Sequence, residues 1–191
     1  RDQAHGAPHR FMDWETWRSA LLGLEQVEDE VALCPHWLGE PTLHPRFDPF
    51  VEYAFAANRN NRLFRHFKLH TNGVVFGEAR ARMLLRMANR KDMAADTFRF
   101  VHFSIDAFGP DVYRTVKGAD KRELVYKNIL RFLNIRRDLG LRRPHATLAF
   151  VVQPENVHEA VDFRDYWLER LESMDRVVRQ TWDWPDQELD T

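Results

Sequence analysis

Polar residues that could bind a ligand follow four short apolar segments of this sequence. They are Gly39-Glu40-Pro41 after the first segment, Thr71-Asn72 after the second, Ser104 and Asp106 after the third, and Asn156 after the fourth. Carboxylate, hydroxyl and amide groups are the acceptors and donors with which proteins hold polar ligands. Taken alone, each set fits an ordinary turn, a capping acid or a structural polar network. The succession of four such sets favours a binding site.

Histidines near the same segment ends allow a different chemistry. His36, His70, His102 and Asp106 could hold a metal ion that activates water, as in a metal-dependent hydrolase on a (β/α) barrel. A zinc site could also be drawn, although its spacing matches no common zinc pattern. Its ligands would be Cys34, His36 and His44.

Secondary-structure patterns along the chain predict the elements that position these residues. Apolar residues at helical spacing alternate with short apolar runs, which predicts helices and strands in turn. Predicted strands cover Glu30–Trp37, His66–Thr71, Phe98–Ala107, Ala146–Gln153 and Arg176–Trp182, and predicted helices cover Trp14–Leu24, Val51–Asn58, Ala81–Ala88, Lys121–Leu139 and Ala160–Met174. This alternation predicts a parallel sheet with right-handed crossovers, either closing toward a barrel or open and doubly wound. Ligands of both architectures bind at the carboxyl ends of the strands.

Composition limits the function further. The 191 residues carry 28 basic and 29 acidic side chains, for a net charge of −1, and no block of one sign predicts a nucleic-acid or membrane partner. A single cysteine, Cys34, excludes a disulfide within the chain and favours a reducing, cytoplasmic setting. We expect one domain over residues 1–191.

The ordered set of motifs resembles the radical SAM superfamily, especially its peptide-modifying and sulfatase-maturing branch. The resemblance runs from about Met12 to Met174 and rests on Gly39-Glu40-Pro41, Thr71-Asn72-Gly73, Ser104-Ile105-Asp106, the segment Tyr113–Gly118 and Asn156. It implies an α/β fold, a partial (β/α)6 TIM-type half-barrel of parallel strands. It also implies that the intact enzyme binds S-adenosylmethionine (SAM) and cleaves it reductively at a [4Fe–4S] cluster. The resulting 5′-deoxyadenosyl radical would take hydrogen from a peptide or small-molecule substrate, with electrons from a separate donor.

The resemblance also implies roles for individual residues. Glu40 and the backbone at Gly39 and Pro41 would bind the methionine ammonium. Ser104 and Asp106 would contact the ribose hydroxyls or the methionine carboxylate, with Thr71 and Asn72 lining the same pocket. Lys117 stands where relatives often have an arginine that meets the carboxylate; it can supply charge without the bidentate fork. Val151, with Val152, would pack near the adenine, and Asn156 is the polar residue that follows that strand.

The sequence departs from the family pattern at two places. Leu38 replaces the first glycine of the usual Gly-Gly-Glu. The three cysteines at Cys-x₃-Cys-x₂-Cys spacing that hold the cluster are absent. In relatives they follow a strand that precedes the first helix, so we expect both the strand and the cluster loop upstream of Arg1. The alternatives are the metal-dependent hydrolase and a non-catalytic SAM-binding domain, which the missing cysteines would permit.

Overall fold

The fold is built on one sheet of five parallel strands. A computed structural model describes residues 11–36 and 39–180, and in it the strands pair in chain order from one edge of the sheet to the other. The strands are β1 (Ala32–Leu33), β2 (His66–Thr71), β3 (Phe98–Ser104), β4 (His145–Val151) and β5 (Arg176–Gln180). The helices are α1 (Trp14–Gly23), α2 (Phe47–Asn61), α3 (Glu78–Ala88), α4 (Pro110–Lys117), α5 (Arg122–Asp138) and α6 (Ala160–Leu168).

The strand order decides between the two predicted architectures. A doubly wound sheet reverses its direction of growth at a switch point, whereas this sheet grows in one direction from β1 to β5. The predicted α/β partial barrel of parallel strands is therefore confirmed. No helix in the described part of the chain is long and apolar enough to cross a bilayer.

The two faces of the sheet differ in polarity. Phe67, Leu69, Val101 and Phe103 are at most 1% exposed and join the helices in one hydrophobic core. Their neighbours in sequence, such as Lys68, point to the opposite face and are half-buried. This alternation follows from the two-residue period of a strand. We call the face opposite the core the lumen face, because it corresponds to the interior of a closed barrel.

Several element boundaries differ from the sequence prediction. The predicted strand Glu30–Trp37 is reduced to two paired residues in β1, which pairs with β2 alone and is followed by Pro35, a residue without an N–H donor; Trp37 lies outside the described residues. The predicted strand Phe98–Ala107 ends at Ser104, because Asp106 has a φ of 60°, in the left-handed region.

The predicted helix Ala160–Met174 ends at Leu168, so Leu171 and Met174 are not helical. Asp175 holds the turn before β5, since its carboxylate accepts from the Glu172 amide and the Ala146 amide. Strand β4 spans His145–Val151 in place of Ala146–Gln153, and β5 ends at Gln180 in the described residues. Helix α4 was not predicted: it begins at Pro110 within a segment that the sequence pattern left without an element.

A buried ion pair joins the amino ends of β4 and β5 to α5. The side chains of Arg136 and Asp175 are both 0% exposed, and the guanidinium donates to both carboxylate oxygens. Arg136 also donates to Glu172 at 3.0 Å and to the Pro144 carbonyl at 3.1 Å. The pair fixes the end of the sheet opposite to the predicted ligand site.

Candidate functional site

Glu40 joins the segment that follows β1 to the end of β2. Its Oε1 accepts from the Thr42 amide at 3.0 Å, the Thr42 hydroxyl at 2.5 Å and the Thr71 hydroxyl at 2.7 Å. Its Oε2 accepts from the Asn72 amide at 2.6 Å. The carboxylate therefore holds two loops together at the carboxyl end of the sheet.

Glu40 also caps a short 3₁₀ turn. This turn spans Pro41–Leu43, with Pro41 in the first turn, where its missing N–H costs no hydrogen bond. The capping interpretation of Glu40 is thus confirmed locally, and the contacts with Thr71 and Asn72 add a longer-range role. Leu38 lies outside the described residues.

The backbone of Gly39 lies at the same edge with open space beside its Cα. Its φ of +90° is one that side-chain-bearing residues rarely adopt, and a Cβ built on it would have no heavy atom within 4 Å. Neither its N–H nor its carbonyl makes a hydrogen bond to another described residue. No described residue therefore occupies this exposed donor and acceptor.

The Thr71–Gly73 turn is shaped by its own side chains. Thr71 is 3% exposed and its hydroxyl accepts from the Gly73 amide at 3.1 Å, and Asn72 Oδ1 accepts from the Val74 amide at 2.9 Å. Gly73 has a φ of +75°, and a Cβ there would lie 3.2 Å from Val125 Cγ1. The Asn72 side-chain NH₂ has no partner in the described part of the chain and remains a donor at the edge.

Arg80 braces these two loops and was not found from the sequence. It donates to the Thr42 carbonyl at 2.8 Å, the Val75 carbonyl at 2.6 Å and Asp48 Oδ1 at 2.8 Å. The position carries no local signal, since it is one of three arginines on α3.

Asp106 forms a second centre of contacts, between the ends of β3 and β4. Its Oδ1 accepts from the Val151 amide at 2.8 Å, and Oδ2 forms an ion pair with Lys117 and a longer contact with the Ser104 hydroxyl at 3.4 Å. Its carbonyl accepts from Asn156 Nδ2 at 2.8 Å. Asp106 is 5% exposed, so it lies beneath the surface of the site.

Asn156 completes this second centre. It is 0% exposed, donates to the carbonyls of Asp106 and Val151, and accepts from the Gln153 amide at 2.7 Å. These hydrogen bonds are all with backbone groups, so Asn156 holds the turn after β4 in place. Glu159, which no sequence motif marks, accepts from the amides of Phe108 and Gly109 and fixes the loop before α4.

Tyr113 lies beside Asp106 and is 2% exposed. Burial, followed by the nearby Asp106 carboxylate, raises the pKa of its phenol to about 12. The Tyr113 phenol is therefore uncharged at physiological pH, and the residue lines the site beside Asp106.

Three imidazoles form a row on the lumen face below these loops. The rings of His36 and His70 stack with centroids 5.7 Å apart, and those of His70 and His102 with centroids 4.5 Å apart. Burial, then neighbouring positive charge from His70, His36 and Lys117, lowers the pKa of His102 to about 4. The pKa of His70 is lowered by burial and by His36 and Lys68.

The two metal sites considered from the sequence are not assembled. No group of three or more His, Cys, Asp or Glu side chains in residues 11–36 and 39–180 converges as metal ligands. The stacked rings present their faces to one another, whereas ligation needs ring nitrogens that meet at one point. Asp106 is paired with Lys117, and both ring nitrogens of His44 are used, with Arg46 N and Met12 O. Cys34 is exposed.

The sequence-predicted residues thus form two adjacent groups at the carboxyl edge. Gly39, Glu40, Pro41, Thr71 and Asn72 form the first, and Ser104, Asp106, Lys117, Val151 and Asn156 form the second. The strands that carry the two groups are neighbours, with Thr71 opposite Phe103. The edge offers backbone and amide groups for a polar ligand and the half-buried Val151 and Val152 for an apolar one.

Comparison with known proteins gives a likeness in structure only. No protein-family model and no curated protein matches the sequence. The solved structure of native anSMEcpe, an anaerobic sulfatase-maturating radical SAM enzyme, with bound AdoMet has a TM-score of 0.65 at 16% identity, over 94% of this chain and 45% of that one. Native anSMEcpe with bound AdoMet and Kp18Cys peptide has a TM-score of 0.62 at 16% identity, over 91% and 44%. This chain therefore has the fold of radical SAM barrel enzymes and spans less than half the length of these structures.

Proposed function

We propose that this chain is the SAM-holding part of a radical SAM enzyme. The observation that carries the proposal is the joining of the ordered motifs at the carboxyl edge: Glu40 links the first two strand ends and Asp106 the next two. The fold likeness to a radical SAM enzyme with bound AdoMet supports the same interpretation.

The groups at the edge that can still donate or accept match the polar parts of SAM. The Gly39 carbonyl and the remaining lone pair of Glu40 Oε2 would accept from the methionine ammonium. Ser104, with Lys117, would contact the ribose hydroxyls or the methionine carboxylate. The side-chain NH₂ of Asn72 would donate to SAM at the same edge. Val151 and Val152 would pack against the adenine. Thr71, Pro41, Asp106 and Asn156 would act by positioning these groups.

A [4Fe–4S] cluster does not fit the residues of this chain. Three thiolates are needed and the sequence holds one cysteine, which is exposed. When bound, SAM supplies a sulfonium whose carbon–sulfur bond can be cleaved reductively. The cluster, the electron donor and the peptide or small-molecule substrate belong to the proposal for the whole enzyme, and this chain's share is to bind and orient SAM.

The single cysteine permits a second candidate, a SAM-binding domain without catalysis. Both candidates predict SAM binding, and they differ in chemistry. Formation of 5′-deoxyadenosine by the whole enzyme, with its cluster and a reductant, would favour the first candidate. SAM binding by that protein without any such product would favour the binding domain.

SAM binding can be tested with a matched pair of glycine substitutions. Gly39 and Gly140 both have left-handed φ values, +90° and +63°, and a Cβ on either meets nothing within 4 Å. G39A and G140A should therefore lose similar stability, about 1 kcal/mol, from backbone strain. Only Gly39 lies at the proposed site.

We expect titration calorimetry to show SAM binding by the wild-type chain, with affinity reduced about 10-fold or more in G39A, because the methyl group enters the ligand's space, and unchanged in G140A. Absence of SAM binding by the wild type, or equal affinities of the two variants, would contradict the proposal.

A further inference from the structure

The lumen face carries a cavity with an unusual charge. Its volume is about 660 Å³, and its described lining includes six cationic or titratable basic side chains and no Asp or Glu. These six are Lys68, His70, Arg99, His102, His145 and Arg176. Barrel interiors of this type are ordinarily filled by branched apolar residues. The lining therefore needs an explanation beyond packing.

The register of the sheet places this cavity directly below the proposed SAM site. His70 pairs with His102 and His102 with Thr147, which makes one row across three strands. Ser104 stands two residues further along β3, about 7 Å higher at the ordinary rise of a strand. Lys68, two residues before His70 on β2, lies in the next row down.

No carboxylate in the described part of the chain neutralises the charge of Lys68 on this face. Lys68 forms no ion pair or hydrogen bond with the described residues. Asp106, above the row, is paired with Lys117, and Asp175, beside His145, is fully buried against Arg136. The lowered pKa values of His70 and His102 share a first cause, because burial disfavours a further proton on both rings; the neighbouring imidazoles, and Lys68 for His70 or Lys117 for His102, act in the same direction.

We propose that this part of the lumen binds an anionic group, a carboxylate or a phosphate, of the substrate. Lys68 supplies a compact ammonium with three donors, and the neutral rings of His70 and His102 supply one N–H each. An anion at this position would use these donors in charge-assisted hydrogen bonds, which are about twice as strong as neutral ones. The assignment of the anion to the substrate rests on the proposed function, because it assumes that SAM occupies the edge above the cavity.

Inorganic phosphate at pH 7 is a direct probe of this site. We expect the C2–H resonances of His70 and His102 to shift saturably as phosphate is added, because both rings line the cavity. Replacing Lys68 by Met should weaken phosphate binding about 10-fold or more, as loss of a hydrogen bond to a charged group does. K68R should retain most of the affinity. K127M removes the same charge from an exposed position on α5 and should bind like the wild type.

Two results would overturn the anion site: no shift of these resonances with phosphate, or equal weakening in K68M and K127M. SAM calorimetry on the same variants separates this inference from the proposed function. Phosphate binding through Lys68 in a chain that binds no SAM would leave the anion site standing and remove the proposed function. SAM binding without phosphate binding would do the reverse.

A further arm distinguishes the source of the anion. Residues 181–191 hold four carboxylates, at Asp183, Asp186, Glu188 and Asp190. If the quadruple variant D183N/D186N/E188Q/D190N binds phosphate more tightly than the wild type, the chain's own carboxylates compete for the site and the assignment to substrate is wrong. Unchanged affinity supports a substrate anion.

Discussion

Removing the Glu40 carboxylate should measure how strongly the two loops of the site are held together. Glu40→Ala removes four hydrogen bonds, two to Thr42 and one each to Thr71 and Asn72. Thr71 is 3% exposed, so its hydroxyl loses its acceptor where water has little access, which costs about 1–3 kcal/mol. The other donors are closer to solvent and can be rehydrated. We expect a total loss of about 2–4 kcal/mol in the free energy of unfolding.

Urea unfolding followed by circular dichroism measures this loss, with Glu155→Ala as control, because Glu155 is exposed and forms no hydrogen bond or ion pair with the described residues. In a Thr71→Val background the cost of Glu40→Ala should fall by about 1–2 kcal/mol, since no buried hydroxyl is then orphaned. If Glu40→Ala destabilises no more than Glu155→Ala, or if the two substitutions at positions 40 and 71 are additive, the reasoning from these hydrogen bonds is refuted.

Two further predictions concern titration and the buried ion pair. The pKa of His102, about 4 in the folded chain, lies below the ordinary value of about 6.5, so unfolding takes up a proton between these values. Its stabilising effect, up to about 3 kcal/mol, is therefore present above pH 6.5 and lost as the pH falls toward 4. Urea unfolding at several pH values should show a shallower pH dependence for H102Q than for the wild type, and parallel curves would contradict this. Arg136→Met leaves Asp175 as a buried charge without its partner and should cost about 3–5 kcal/mol in the same assay. Arg164→Met, which breaks the exposed pair with Asp165, should cost less than about 1 kcal/mol, and a similar loss in both variants would be inconsistent with the burial.

The fold followed from the sequence wherever burial repeats at a regular interval. Strand β2 was predicted over its observed bounds, His66–Thr71, because its buried and half-buried residues alternate along its whole length. The parallel sheet followed from the alternation of strands and helices. The order of the strands did not, since a barrel-type and a doubly wound sheet require the same local patterns. Helix α4 was missed because its eight residues make only about two turns, too few for an apolar repeat to stand out in the sequence.

The motif residues of the site could be predicted from the sequence, but the residues that hold their loops in place could not. Glu40, Thr71 and Asp106 stand at strand ends within short, ordered motifs. Arg80 and Glu159 act across 38 and 50 residues of sequence, respectively, through contacts with backbone groups, and nothing beside them in the chain marks them. The stacking of His70 on His102 depends on the register between β2 and β3, and His36 joins them from the segment after β1. Local sequence patterns do not determine that register, which is why the metal sites drawn from the sequence do not form among the described residues.

The structure also changes which residues can discriminate between a structural scaffold and a ligand site. Glu40, Thr71, Asp106 and Asn156 each hold two or more segments of the chain together, so loss of SAM binding after substitution there would follow from a ligand role and from loop disorder alike. Gly39 makes no hydrogen bond to the described residues, and neither does Lys68. Substitutions at these two positions therefore report on ligands more directly than substitutions in the motifs that first suggested the function. Substitutions of Gly39 test ligand binding at the SAM edge, and substitutions of Lys68 test anion binding on the lumen face below it.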